Sequence, residues 1–290
     1  MSRLWSPICD QLGIETPIFG FAHDVATVAA ISQAGGYGVY GATRRFPQEI
    51  RNELAEIRSL VGDKPFGVDL VLPPGMPQHN SREAIEAEIP QAHKDFVQSI
   101  IDRFDVPAAT KPGMRTRFIR SSEIEAEQVE AVLDSSVNMF ACGIGAPKPV
   151  VEAAKARGQT TLALIGSPHH VQRSIDAGVE IIVAQGYDAG AHTGTIGTFS
   201  LVPQIVEAAG DVPVLVAGGV ATGRHIAAAL AMGAQGVWLG TAWLFSEEHQ
   251  SHMHPVNTKK LIEAGSGDTV ITRSESGKTF RQIRTGWSQA

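Results

Sequence analysis

The chain has 290 residues, 43% hydrophobic and 19% charged, a globular composition with room for one large α/β domain or two small ones. Its formal charge of −6 argues against a general nucleic-acid or anionic-membrane binder. With only two cysteines, Cys9 and Cys142, a disulfide scaffold or a Cys-based zinc cluster is not expected.

The opening "MSRLWSPICDQLGIETP" has no basic flank followed by a long apolar core, and no apolar run is long enough to span a bilayer. A soluble, cytoplasmic protein is therefore expected. In chain order, β-type runs fall at 17–21, 36–41, 65–71, 137–143, 160–166, 179–186, 212–219 and 234–240. Most are continuous apolar runs, as parallel strands covered on both faces require. Between them lie Ala-rich helical patterns such as "DVATVAAISQAGG" and "TGRHIAAALAMG". Several end in Gly, and Pro147 and Pro168 stand where helices begin. Eight strands with crossover helices predict an α/β fold, a (β/α)8 barrel forming a single domain over 1–290. A doubly wound open sheet is the alternative. Residues 73–135 are too long for a simple connection and predict a helical insertion after the third strand, either a lid across the barrel mouth or a solvated excursion. Its basic centre reads "AATKPGMRTRFIR".

The strand ends carry the chemistry. The seventh strand ends in "AGGVATG" and the eighth in "LGTAW". Gly218 and Gly219 allow close backbone approach to a ligand, and Gly240 with Thr241 offers an amide and a hydroxyl. At the ends of consecutive barrel strands this pair predicts a phosphate site. A second phosphate motif fails: "SGKT" at 276–279 has Thr272 where a P-loop needs its leading Gly. The sixth strand runs into "VAQGYDAGAHTG", an acid, three glycines and His192 directly after a buried run. This is either a tight turn or a pocket wall carrying a base. "HQSHMH", with His249, His252 and His254, lacks an acidic partner at ligand spacing and reads as surface rather than a metal site.

The motifs "AGGYGVYGA", "KPFGVDL", "VAQGYDAGAHTG", "VPVLVAGGVATG", "GVWLGTAW" and "ITRSESGKTFRQIRTGW" resemble the nitronate monooxygenase family, FMN-dependent (β/α)8-barrel enzymes formerly called 2-nitropropane dioxygenases. The resemblance implies FMN as cofactor, with a small-molecule substrate and O2 as partners. It also implies that Gln185, Gly186, Ala189 and Gly190 lie along the flavin ring. His192 would face the substrate, while Gly218, Gly219, Gly240 and Thr241 meet the FMN phosphate. Asp69 falls where many relatives carry Asn near the flavin, and Asp188 and Ala191 replace a Glu and a Gly. Ala22 and His23 stand where relatives read Pro-Met, which makes Ala22 a cofactor contact and His23 a second polar group or a filler of the Met space. Cys142, at the end of the fourth strand, is expected to point toward the mouth, a weak substrate-side candidate and more simply an inert thiol. Relatives continue into further helices beyond "RTGWSQA", and a homo-oligomer is possible. Two other readings stay open: an NAD(P)H-dependent flavin enoyl reductase on the same framework, and an inactive flavin-binding relative.

Overall fold

The computed structural model describes residues 4–111, 117, 119–250 and 253–289. In chain order its strands are β1 (Ile18–Ala22), β2 (Tyr37–Gly41), β3 (Phe66–Val71), β4 (Met139–Ile144), β5 (Thr160–Ile165), β6 (Ile181–Gln185), β7 (Ala191–His192), β8 (Val214–Ala217), β9 (Gly236–Leu239), β10 (Thr269–Thr272) and β11 (Phe280–Ile283). Eight of them, all but β7, β10 and β11, form a closed barrel in which neighbours run parallel. Closure is made by β9 against β1, with Ile18 opposite Val237. The eight-strand reading of the sequence holds, and closure excludes the open sheet.

Side chains alternate across each strand, so each contributes to two cores. Phe19, Val39, Met139, Leu162, Val183, Leu215 and Trp238 share the barrel interior. The interior cluster also takes in Ile8 and Cys9 of the helix Pro7–Leu12. The intervening residues face outward, where Val68, Leu70 and Phe140 meet Ile50, Leu54 and Ile57. Those three belong to the helix Pro47–Val61, whose buried positions 50, 54, 57 and 61 form one apolar stripe. Proline opens this helix, the Glu49 carboxylate accepts the Phe46 amide at 2.8 Å, and Gly62 at φ 61° closes it. Full burial of each such aliphatic side chain contributes about 1.5–3 kcal/mol.

Between β3 and β4 lie the helices Arg82–Glu88, Gln91–Arg103 and Ser122–Leu133. The first two are largely exposed and form the helical insertion. The third is a regular barrel crossover, burying Gln128, Ala131 and Val132. The excursion from the barrel therefore ends near residue 121 rather than 135. Arg117 ties it to Glu49 and to the Arg44 carbonyl (2.7 Å), and Arg120 donates to the Val71 carbonyl at 2.6 Å. Residues 112–116 and 118 of the basic centre lie outside the described residues.

A three-stranded antiparallel sheet, ordered β10-β11-β7, was not expected from the sequence. Its strands have only four, four and two residues, too short for alternation to register. His249 is also not the surface residue its motif suggested. Its Nδ1 lies 2.7 Å from Asp24, and both side chains are largely buried. The same Asp24 caps the helix Val25–Gln33 by accepting the Thr27 amide at 2.7 Å. The acidic partner is 225 residues away in the chain, which local spacing cannot reveal. His252 lies outside the described residues. Among the described residues, no helix is long and apolar enough to cross a membrane.

Candidate active site

All eight barrel strands point their C-terminal ends at one mouth, and small residues crowd its rim. At Gly41 an added Cβ would lie 2.5 Å from His23 Nδ1 and 2.7 Å from Phe21 Cζ, so only glycine admits those two rings. His23 Nδ1 sits 3.0 Å from the Gly41 carbonyl, and its ring meets Phe21 edge-on at 4.9 Å. Desolvation of the ring, with Arg45 and Arg44 adding to it, pushes the His23 pKa down.

Asp69 is the buried acid of the mouth. Its neighbours Val68 and Leu70 face the helices, which turns Asp69 toward the barrel axis. Both carboxyl oxygens lie 3.1 Å from where a Gly143 Cβ would stand, so glycine on β4 makes their room. Asp69 is 4% exposed, and its Oδ2 has no hydrogen-bond partner. Burial pushes its pKa up to about 7.

The loop after β6 closes the next quarter of the rim. Gly186 donates to the Ala217 carbonyl (3.0 Å), and an added Cβ there would strike Thr198 at 2.2 Å. Asp188 accepts the Thr198 amide at 2.9 Å, at the start of the helix Thr198–Ala209. That bond leads the contacts holding the Asp188 carboxyl below the usual carboxylate range. Thr198 in turn donates its hydroxyl to the Gly218 carbonyl at 3.0 Å. The backbone of 186–190 therefore lies against the ends of β8 and β9. Gly218 (φ 98°) abuts the Ala189 amide, Gly219 (φ 75°) abuts Asp188, and Gly190 abuts the Thr241 hydroxyl. Gln185, Gly186, Ala189, Gly190, Gly218, Gly219 and Thr241 thus form one continuous patch, with Gly240 beside Phe21.

His192 is not at a free loop tip. It occupies β7, opposite Phe280 of β11, with its ring edge-on to the Phe280 ring at 5.0 Å. Its Nε2 lies 2.7 Å from Ser276 Oγ, and its carbonyl accepts from Gln185 Nε2 at 2.8 Å. Arg281 clamps the same loop by donating to the Tyr187 carbonyl (3.0 and 3.3 Å) and stacking on that ring at 4.9 Å. Ala191 holds φ 64°, a left-handed conformation that glycine adopts more cheaply.

Two expected site residues face elsewhere. Cys142 packs on the helix side of β4 with Leu70 and Ala154, 2% exposed, and does not point into the mouth. Burial, reinforced by Asp69, pushes its thiol up to about 12. Strand parity is the reason, since Ala141 takes the inward position beside it. The Ala22 methyl likewise sits in the helix-side core with Val28 and Ala29, leaving its backbone to the rim. Conversely, Ser276, Phe280, Arg281, Tyr187, Gly41 and Gly143 were not singled out in the sequence. The stretch "ITRSESGKTFRQIRTGW" carried part of the signal, but nothing local says that it folds back onto residue 192.

A closed parallel barrel with a glycine-rimmed mouth, an inward buried carboxyl and a clamped His-bearing loop defines a (β/α)8-barrel protein with its candidate site at the C-terminal face. The family description "Nitronate monooxygenase" matches residues 3–290, and the chain belongs to that family. It is 40% identical to the monooxygenase candidate Rv1533 of Mycobacterium tuberculosis, over 97% of this chain and 76% of that protein. Among solved structures, it is similar to a nitroalkane oxidase from Streptomyces ansochromogenes (TM-score 0.78, 26% identity, 97% of this chain and 80% of that one). FabK from Thermotoga maritima is also similar, with TM-score 0.75 and 27% identity over 99% of this chain and 76% of that one.

Proposed function

We propose that this protein is an FMN-dependent oxidoreductase that oxidises alkyl nitronates with O2. The observation that carries the reading is the convergence of the 185–190 loop with the ends of β8 and β9 into one glycine-built patch at the mouth, packed so closely that added Cβ atoms would strike neighbouring atoms of the patch and of Thr198. FMN suits this mouth: the glycine-rich ends of β8 and β9 bring bare backbone amides and the Thr241 hydroxyl together as donors for a phosphate, and the orphaned Asp69 oxygen is offered a partner. Family membership and the likeness to a nitroalkane oxidase support the same chemistry.

In this reading Gly218, Gly219, Gly240 and Thr241 take the phosphate through backbone amides and one hydroxyl. Gln185, Gly186, Ala189, Gly190, Asp69 and the Ala22 backbone border the ring. When bound, FMN supplies the acceptor for the electrons of an electron-rich carbon and passes them to O2. His192 handles the proton. Fixed by Ser276, Phe280 and the Gln185 bond, its imidazole takes the α-proton of a neutral nitroalkane, or in protonated form pairs with a nitronate already ionised. His23, bonded to Gly41, is a polar group on the opposite part of the rim.

An anaerobic absorbance titration with an alkyl nitronate, run beside one with NAD(P)H, tests this. Flavin bleaching by nitronate alone supports the oxidase. Bleaching by NAD(P)H alone would make the protein a reductase on the same framework. His192→Asn is expected to lose turnover of the neutral nitroalkane, and to weaken without abolishing that of the pre-formed nitronate, which needs no proton removed.

A further inference from the structure

Among the described residues, no side chain hydrogen-bonds the buried acid in the mouth. No side chain bonds Asp69 Oδ2, and no salt bridge is made to the residue among those described. Its strand neighbours are apolar or small: Gly41 on β2 and Ala141 on β4 stand opposite it, and Gly143 lies under the carboxyl. An ionised carboxylate sealed this way would cost several kcal/mol in general, and such a group stays neutral unless something compensates it. Cys142 is the titratable group that feels Asp69, and that thiol is itself neutral. Arg45, following β2, is engaged by Glu53 and Tyr40, and Arg120, in the insertion, by Glu125. Arg44 and Arg45 act on His23, not on Asp69, whose titration is governed by burial.

We propose that Asp69 stands in the mouth as a neutral carboxylic acid and donates its O–H to the bound flavin, so that cofactor affinity is switched by this single proton. The proposal rests on the flavin reading above. The neutral acid has one donor, and a ring with carbonyl and imine acceptors is the partner a buried O–H lacks here. Ionisation removes that donor and sets a negative charge against the electron-rich rim of the ring. The sign is fixed by this: the bound form favours the protonated acid, so binding is strong below the acid's pKa and weakens above it. With that pKa near 7 in the flavin-free chain, the apparent Kd grows about tenfold from about pH 6 to about pH 8 if only the acid form binds.

The test is FMN fluorescence quenching by the flavin-free full chain across this pH range, for the wild type and for Asp69→Asn, whose amide donates at every pH. The wild type is expected to weaken about tenfold, and the variant less than about twofold over the same interval. A flat wild-type profile, or an equal slope in Asp69→Asn, overturns the role of Asp69 while leaving flavin binding intact. No binding by the wild type at any pH overturns the flavin reading and this proposal together. A second measurement needs neither flavin nor variant stability: the infrared C=O band of a protonated carboxyl, followed in the wild type alone. It is expected to persist in mild acid and disappear near neutrality, and its absence throughout overturns the proposal.

Discussion

Adding one methyl group at Gly186 tests the architecture of the site wall directly. In Gly186→Ala the new carbon would lie 2.2 Å from Thr198 Oγ1, 2.4 Å from Thr198 Cα and 2.6 Å from Thr198 N. Ordinary carbon contacts need about 3.5–4.0 Å, and two of the three atoms struck are backbone, so no side-chain rotation relieves the clash. The first turn of the helix Thr198–Ala209 must move by roughly 1 Å or more. That displacement stretches both bonds that seat it, Asp188 to the Thr198 amide and the Thr198 hydroxyl to Gly218. Overpacking costs about 1–3 kcal/mol and loss of an N-terminal cap about 1 kcal/mol, for a total of about 2–4 kcal/mol. At about 2–4 °C per kcal/mol for a chain of this size, thermal unfolding followed by circular dichroism should fall by about 4–16 °C. Gly223→Ala is the control, because an added Cβ there meets nothing within 4 Å. It should be neutral or gain about 0.4–1 kcal/mol. A Gly186→Ala protein that melts with the wild type would refute the close seating of the loop on this helix.

Ala191, at φ 64°, pays in strain what glycine would avoid. Ala191→Gly should change stability by less than about 1 kcal/mol, strain relief offsetting added chain entropy, whereas Ala191→Val should lose more than about 1 kcal/mol; equal melting of the two variants would contradict the left-handed geometry. The depressed Asp188 carboxyl contributes stability that is complete above the ordinary carboxylate pKa and is lost as pH falls through its lower folded value. Asp188→Ala should therefore cost about 1 kcal/mol near neutrality and little in strong acid, read from urea unfolding at several pH values; a cost that does not vary with pH counts against the charge. Cys142, buried and pushed up to about 12, should resist iodoacetamide in the native state and react once urea unfolds the chain. Rapid native labelling at Cys142 would mean that its side chain faces the mouth after all.

The barrel was legible because eight apolar runs of similar length recur with helices between them, and each run became a strand within two residues at either end. The glycine patch was legible for a related reason: Gly218, Gly219 and Gly240 end strands, and closure of the barrel brings strand ends together whatever the details. Direction within a strand was harder. Cys142 and Asp69 both lie near strand ends in apolar company, and only strand parity sends one to the helices and the other to the mouth. Long-range pairs left no local trace at all. Nothing around His249 announces Asp24, and nothing around Ala191–His192 announces Phe280 and Arg281. The insertion was visible as surplus length, but its boundary was not, because the helix Ser122–Leu133 has the same acidic, alanine-bearing composition as the excursion it follows.

The pairing of β7 with β11 ties the His192 wall to residues made well after the last barrel strand. The barrel strands are complete by residue 239, so a nascent chain can close its cylinder while Ser276, Phe280 and Arg281 are still inside the ribosome. At that stage the glycine patch exists, but the histidine has no Ser276, no Phe280 and no clamp on Tyr187. Closure of the barrel and pinning of His192 are thus separable steps in the making of the chain. Translation order makes the glycine patch before the strand that holds the His192 wall.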